Sequence, residues 1–234
     1  MSAIEAYHDY VYHTPWGALF YQLLWEQLDE ILRPGMRVLD FGSGFGKTAK
    51  HYTDEYDVTA YEPSAGMLSQ AEIGFKQLTG PDFNQLGEYD VILLHNVLEY
   101  VQDPAALLAT LSTHLTPHGQ FSIVKHNALG HAFASAVLFD DPARALREYQ
   151  GAAMASQSFG AMQIYDQTQL AKWLPQGFRV KKVWGLRTLF GLSANNEIKA
   201  TSTWQQDMAA LERVLALDPQ AQAVAFFHHV NVSR

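Results

Sequence analysis

An α/β fold with helices on both faces of a mostly parallel sheet is expected for this 234-residue chain. Three observations predict it. Strand-like and helix-like segments alternate from residue 36 to 126, a glycine-rich turn follows the first strand, and two strand-like runs close the chain.

The elements follow in order. Residues 16–33 place Leu19, Phe20, Leu23, Leu24, Leu28 and Ile31 on one helical face, and Pro34-Gly35 ends that helix. MRVLDF (36–41) reads as a strand that runs into the glycine-rich turn, and DVTAYE (57–62) reads as the next strand. Residues 64–72 suggest a short helix and 75–78 a short strand. YDVILLHN (89–96) is almost continuously apolar, as a central strand covered on both faces must be. Asp103 caps a helix opened by Pro104 that reaches His114, and after Pro117-His118-Gly119 the run 119–126 is the next strand. Residues 128–165, rich in Ala, Phe and Met and without strand character, read as an inserted helical cap whose Phe133, Val137, Leu138 and Phe139 are core residues that shape the pocket rather than react. A helix over 167–174, a strand over 178–190, a helix over 204–217 and a strand over 223–232 complete the chain. The last two strands suggest an antiparallel pair at the sheet edge. The expected organisation is a single domain, 1–234, with an N-terminal helical segment at 1–34.

Composition narrows the chemistry. Apolar residues make up 48%, enough for a sizeable core. Cysteine is absent, which removes disulfides, thiolate metal sites and a Cys nucleophile. No metal site is expected: His114 and His118 have helical spacing, but Pro117 breaks the helix between them. The segment from Met1 to Tyr10 carries Glu5 and Asp9 and does not read as a signal peptide. No apolar run approaches the roughly 20 residues of a membrane span. A soluble, cytoplasmic protein without membrane contact is expected. The net charge of −8 disfavours sequence-independent nucleic-acid binding, although residues 166–200 alone carry +4.

The turn is Asp40-Phe41-Gly42-Ser43-Gly44-Phe45-Gly46-Lys47-Thr48. A phosphate loop would need glycine at 41, where Phe41 stands. A dinucleotide fingerprint starting at Gly42 would need glycine at 47, where Lys47 stands. What remains is an acid two residues before three alternating glycines, which resembles the first motif of class I S-adenosylmethionine (SAM) methyltransferases. Glu62 follows Asp40 by 22 residues, at the end of the second strand, where an acid can bind both hydroxyls of a ribose. A solvated strand-end acid is its alternative reading. The segment from His95-Asn96 to Asp103-Pro104 resembles the methyltransferases' fourth motif.

The flanks are similar to the tRNA 5-carboxymethoxyuridine methyltransferase family. The similarity lies in residues 10–17, in His95-Asn96-Val97-Leu98-Glu99-Tyr100, in Asn127-Ala128-x-Gly130 and in Gly185-Leu186-Arg187. This resemblance implies a Rossmann-like class I methyltransferase fold, with a seven-stranded sheet whose last strand is antiparallel. It implies SAM as cofactor, S-adenosylhomocysteine (SAH) as product, and contacts at Gly42, Ser43, Glu62, Gly80 and His95. Asp40, Gly44, Pro63 and Asn96 complete the expected cofactor set. A departure stands in the first helix, where Phe20 occupies the place of an arginine in that family.

On the acceptor side Arg187 is expected to grip a carboxylate or phosphate, a surface salt bridge being its alternative role. His126 and Tyr165 are the further catalytic candidates, with His131 beside them, and Tyr10, Tyr12 and Trp16 could form an aromatic lid. The His228-His229 pair reads as structural. The implied partner is tRNA, through a modified wobble uridine, or a small-molecule acceptor. A SAM-binding protein without catalysis and a dehydrogenase are the readings from other classes.

Overall fold

The computed structural model describes residues 2–80, 82–156 and 160–234. Residues 157–159 of the expected cap therefore lie outside the described residues. The elements are α1 (Ala3–His13), α2 (Pro15–Asp29), β1 (Arg37–Phe41), α3 (Lys47–Tyr52), β2 (Asp57–Tyr61), α4 (Ala65–Leu68) and β3 (Lys76–Leu78). They continue with β4 (Tyr89–His95), α5 (Pro104–Ser112), β5 (Leu115–His126), α6 (Ala128–Val137), α7 (Pro142–Tyr149), β6 (Met154–Ser156) and β7 (Gly160–Met162). The chain ends with α8 (Gln167–Trp173), β8 (Arg179–Leu186), α9 (Asn196–Lys199), α10 (Ser202–Leu215), α11 (Pro219–Val224) and β9 (Phe227–Ser233).

The chain divides into two compact units. The first unit comprises 28–124, 167–182 and 230–234 and holds β1 to β4, most of β5, the start of β8 and the end of β9. The sheet to which these strands belong has seven strands in the order β3-β2-β1-β4-β5-β9-β8. The strands β3, β2, β1, β4 and β5 are parallel, while β9, the last in the chain, is antiparallel. As expected of the two closing strands, β9 and β8 together end one side of the sheet, with β8 outermost and β9 between it and β5. Val91, Ile92, Leu93 and Leu94 of β4 are all buried, as the unbroken apolar run requires of a strand covered on both faces. β5 begins earlier than expected, and Pro117 falls inside it. Its register against β4 jumps from Tyr89↔Leu115 to Val91↔Gln120, so the proline sits in a bulge, where a missing N–H breaks no ladder. The order of strands reverses between β1 and β4, which makes their C-terminal ends the switch point where open α/β sheets bind ligands.

The second unit comprises 2–27, 125–156, 160–166 and 183–229. Ser2 and Glu5 form a reciprocal capping box that starts α1. Asp141-Pro142 and Asp218-Pro219 start α7 and α11 as Asp103-Pro104 starts α5 in the first unit. In the cap, α6 turns small residues inward: Gly130, Ala132, Ala134 and Ser135 are buried. This overturns the expectation that the large cap residues are core, because Phe133, Val137 and Phe139 are exposed, although Leu138 and Phe139 do line a cavity. The purely helical reading of the cap also needs correction. β6 and β7 pair antiparallel, Met154 opposite Met162, in strands of three residues each, too short for side-chain alternation to announce them. Among the described residues, no helix is long and apolar enough to cross a membrane.

Candidate functional site

In the first unit the turn after β1 is built by main-chain geometry. Gly42 and Ser43 both donate their N–H to the Tyr61 carbonyl, at 2.8 and 3.0 Å, which ties the turn to the end of β2. Gly42 has φ +79°, and a side chain there would run into Val97, 2.6 Å away. Gly44, at φ +58°, faces open space: nothing lies within 4 Å of where a Cβ would be. The residue with no side chain is thus presented where a ligand can approach the backbone.

Glu62 follows β2 directly and is buried. One carboxylate oxygen accepts from Gly44 N at 2.9 Å and the other from Ser64 N at 2.8 Å. Each oxygen keeps a lone pair, so the carboxylate can still accept from two neighbouring hydroxyls. Burial raises its pKa, and the two backbone bonds oppose that rise. Pro63 is exposed and bridges Glu62 to Ser64, whose hydroxyl caps α4. Asp40 is buried on β1, and burial pushes its carboxyl up to about 7, with a backbone bond at Ala49 opposing and the charge of Glu62 assisting.

At the end of β4, His95 Nε2 lies 2.9 Å from Ser122 Oγ, and burial pushes the ring down to about 3, so it is neutral at pH 7. Asn96 has φ +55°, a conformation asparagine tolerates better than most residues. Its Oδ1 and the Ser43 Oγ are buried without a hydrogen-bond partner among the described residues. Buried polar atoms are rarely left so, and unpaired ones mark places where a ligand or water completes the network. Gly80 lies two residues past β3 and is exposed, with nothing within 4 Å of where a side chain would begin.

The acceptor-side candidates all fall in the second unit. Arg187 follows β8 with φ +59° and stacks its guanidinium 4.5 Å from the Phe226 ring centre. His126 Nδ1 is 2.7 Å from His131 Nε2, so one ring donates and the other accepts. Burial is the main reason both are neutral: His126 is held well below the usual range and His131 is pushed down to about 4. Tyr165 is buried with the Lys125 ammonium 5.0 Å from its ring centre. Tyr10 and Trp16 line a cavity with Arg187, whereas Tyr12 stacks on His8. Phe20, in the place of the expected arginine, packs edge-on against Phe227. His229 is fully buried, hydrogen-bonded to Gln27 and stacked on Trp184, in keeping with a structural role.

Two of the short matches have a structural explanation. Asn127 donates its side-chain amide to the Ala223 and Ala225 carbonyls, and a side chain on Gly130 would collide with the backbone of 225–226. The Asn-Ala-x-Gly segment is therefore the joint between α6 and the loop before β9. Gly185 donates to the Ala216 carbonyl and accepts from Gln27. Sequence reading did not single out Lys199, which lines the same cavity as Arg187; an isolated lysine carries no pattern of its own.

Comparison with known proteins adds the following. A family model described as a methyltransferase domain matches residues 16–182. The tRNA 5-carboxymethoxyuridine methyltransferase of Escherichia coli (strain K12) is 33% identical over 144 residues, covering 54% of this chain and 55% of the relative. The chain thus spans about half the length of the curated relatives it matches. A solved S-adenosylmethionine-dependent methyltransferase from Mesorhizobium loti superposes with a TM-score of 0.56 at 19% identity, covering 91% of this chain and 98% of that one. Coclaurine N-methyltransferase, solved with N-methylheliamine and SAH, gives 0.54 at 16% identity over 93% of this chain and 71% of that one. At such identities the likeness is one of fold.

Proposed function

Since the chain belongs to the methyltransferase domain family, we propose that it transfers a methyl group from SAM to an oxygen or nitrogen acceptor. The observation that carries this reading is Glu62. It is a buried carboxylate that organises Gly44 and Ser64 with one lone pair on each oxygen and keeps the other pair for adjacent hydroxyls. Those are the hydroxyls of the cofactor's ribose. The unpartnered Ser43 Oγ and Asn96 Oδ1 fit the same ligand, which is rich in polar groups and approaches a bare glycine backbone. Asp40, Gly42, Pro63, Gly80 and His95 complete the proposed cofactor set.

When bound, SAM supplies a methyl group on a positively charged sulfur, open to in-line displacement. The residues of the chain then align the acceptor and exclude water, which is most of what such a reaction needs. A carboxylate acceptor arrives already ionised and requires no base. For a neutral acceptor, His126, which is uncharged and paired with His131, can take a proton, and Tyr165 stands in the same unit. Arg187 is the proposed anchor for an acceptor's negative charge.

For the acceptor itself, the Escherichia coli relative supports a carboxymethoxy-modified wobble uridine of tRNA. A tRNA acceptor supports the expected cytoplasmic location. The test is to incubate the full chain with SAM and tRNA from a strain lacking the corresponding methyltransferase, then digest and weigh the nucleosides. The expected result is a wobble nucleoside heavier by one methyl. Unchanged nucleosides would remove tRNA and leave a small-molecule acceptor.

A further inference from the structure

Among the described residues Asn96, Asp140 and Arg187 have a positive φ without being glycine. Asparagine and aspartate tolerate that region, whereas a long side chain is strained there, and Arg187 stands at φ +59°. The loop after β8 therefore needs something to hold it. Leu189 returns to the right-handed region, at φ −116° and ψ −37°. Such a change of hand turns successive N–H groups to one side and makes an anion-binding concavity. Here the chain fills the concavity itself. The Glu212 carboxylate, on α10, accepts from Thr188 N–H at 2.9 Å on one oxygen, and from Leu189 at 2.6 Å and Phe190 at 2.9 Å on the other. Glu212 is only 2% exposed, and Thr188 and Phe190 are buried with it, so water does not stand in for the carboxylate.

The helix that carries Glu212 is fixed from elsewhere. Arg213 holds Glu26 of α2 through two bonds of 2.7 Å. The Ala216 carbonyl accepts from Gly185 N–H and from the Gln222 side-chain amide, each at 2.8 Å. α10 thus presents the carboxylate at a set place, and the loop conforms to it. Arg187 is constrained at its other contacts too. Its carbonyl accepts from Phe226 N–H at 3.1 Å, its guanidinium lies 4.5 Å from the Phe226 ring centre, and a side chain at Gly191 would overlap it. A relaxed φ at Arg187 would rotate its Cα–Cβ bond and carry the guanidinium off that ring.

We propose that Glu212 is a positioning residue. By filling the concavity of 188–190 it keeps Arg187 left-handed and its guanidinium on Phe226. That the positioned arginine serves the acceptor rests on the methyl-transfer reading; the positioning itself does not.

Wild type and Glu212→Gln are compared as full chains by NMR and amide hydrogen exchange. The substitution turns one acceptor oxygen into a donor and removes the charge, so the three N–H groups lose a partner. In wild type the amides of Thr188, Leu189 and Phe190 should be protected against exchange. In Glu212→Gln they should exchange roughly tenfold or more faster, the size of one charge-assisted hydrogen bond, while the amides of β4 keep their rates. The Arg187 Nε–H resonance, displaced in wild type by the ring current of Phe226, should move towards its free-arginine position. With SAM and tRNA from the strain lacking the methyltransferase, the variant should raise KM for tRNA roughly tenfold, change kcat far less, and keep the SAH affinity measured by calorimetry. Wild-type amides that exchange at the rate of an unfolded chain would overturn the proposal, a readout that needs no variant to fold. Unaccelerated exchange at 188–190, or an unmoved Arg187 resonance, in the variant would overturn it as well. A moved resonance with an unraised KM, or a wild type that methylates no tRNA, would instead count against the acceptor reading and leave the positioning established.

Discussion

The His95 ring is enclosed beside Ser122, and burial pushes its pKa down to about 3. His131 and His228 are pushed down to about 4 for the same reason, and His126 is held well below its ordinary value. In the unfolded chain each titrates near 6.5, so as pH falls through that value the unfolded state takes up protons that the folded state refuses. Stability is therefore lost on the way down from pH 6.5 towards 4. Asp40 acts in the opposite sense, because its folded pKa of about 7 lies above the unfolded one and the folded state gains its proton first. Glu62, whose pKa burial also raises, adds to that side. His51 is also lowered by burial, so five histidines stand against two acids and leave a net loss, with a slope of up to about 1.4 kcal/mol per pH unit for each uncompensated proton. The thermal midpoint should accordingly fall between pH 7 and pH 5, and His95→Gln should flatten the fall. A midpoint that holds steady or climbs over that range would show that these rings are not neutral in the folded protein.

Elements are positioned by small residues at their joints. At the start of α6, Gly130 lies against the backbone of 225–226, where a methyl group has no room. Gly130→Ala should cost about 1–3 kcal/mol, the usual penalty for overpacking, and be read as a lowered urea midpoint with an unchanged slope. An unaltered midpoint would mean that α6 shifts freely. The same scale shows what a sequence can carry. The glycine turn, the acid 22 residues after Asp40 and the apolar strand 89–96 were legible because each answers to one local rule of backbone or burial. The Asp-Pro starts of α7 and α11 carried the signal that revealed α5, yet α11 is short, falls between the expected helix 204–217 and strand 223–232, and overlaps that strand at 223–224. β6 and β7 were not legible, since strands of three residues are too short to show an alternating pattern. The cap's large apolar residues misled, because α6 buries its small face instead. Lys199 came to light only when the fold laid it in a cavity with Arg187.

For the molecule as a whole, the charge of −8 says less about partners than the placement of its cations. The basic stretch 166–200 is divided: Lys172, Arg179, Lys181 and Lys182 belong to the sheet unit, Arg187 and Lys199 to the other. Lys182 is paired with Glu30, whereas Arg187 and Lys199 lack a carboxylate partner among the described residues. The acidic average and the proposed Arg187 anchor are compatible, because recognition is set by which cations are left without a counter-charge. The sheet unit carries the whole proposed cofactor set, from Asp40 to Asn96, and Glu62 is its centre. Calorimetric titration of the full chain with SAH, in wild type and Glu62→Ala and with NAD as the control ligand, tests that claim most directly. SAH is expected to bind, NAD to give no binding heat, and Glu62→Ala to weaken SAH roughly tenfold or more through loss of two charge-assisted hydrogen bonds. Absence of SAH binding in wild type, or equal affinity in Glu62→Ala, would contradict it.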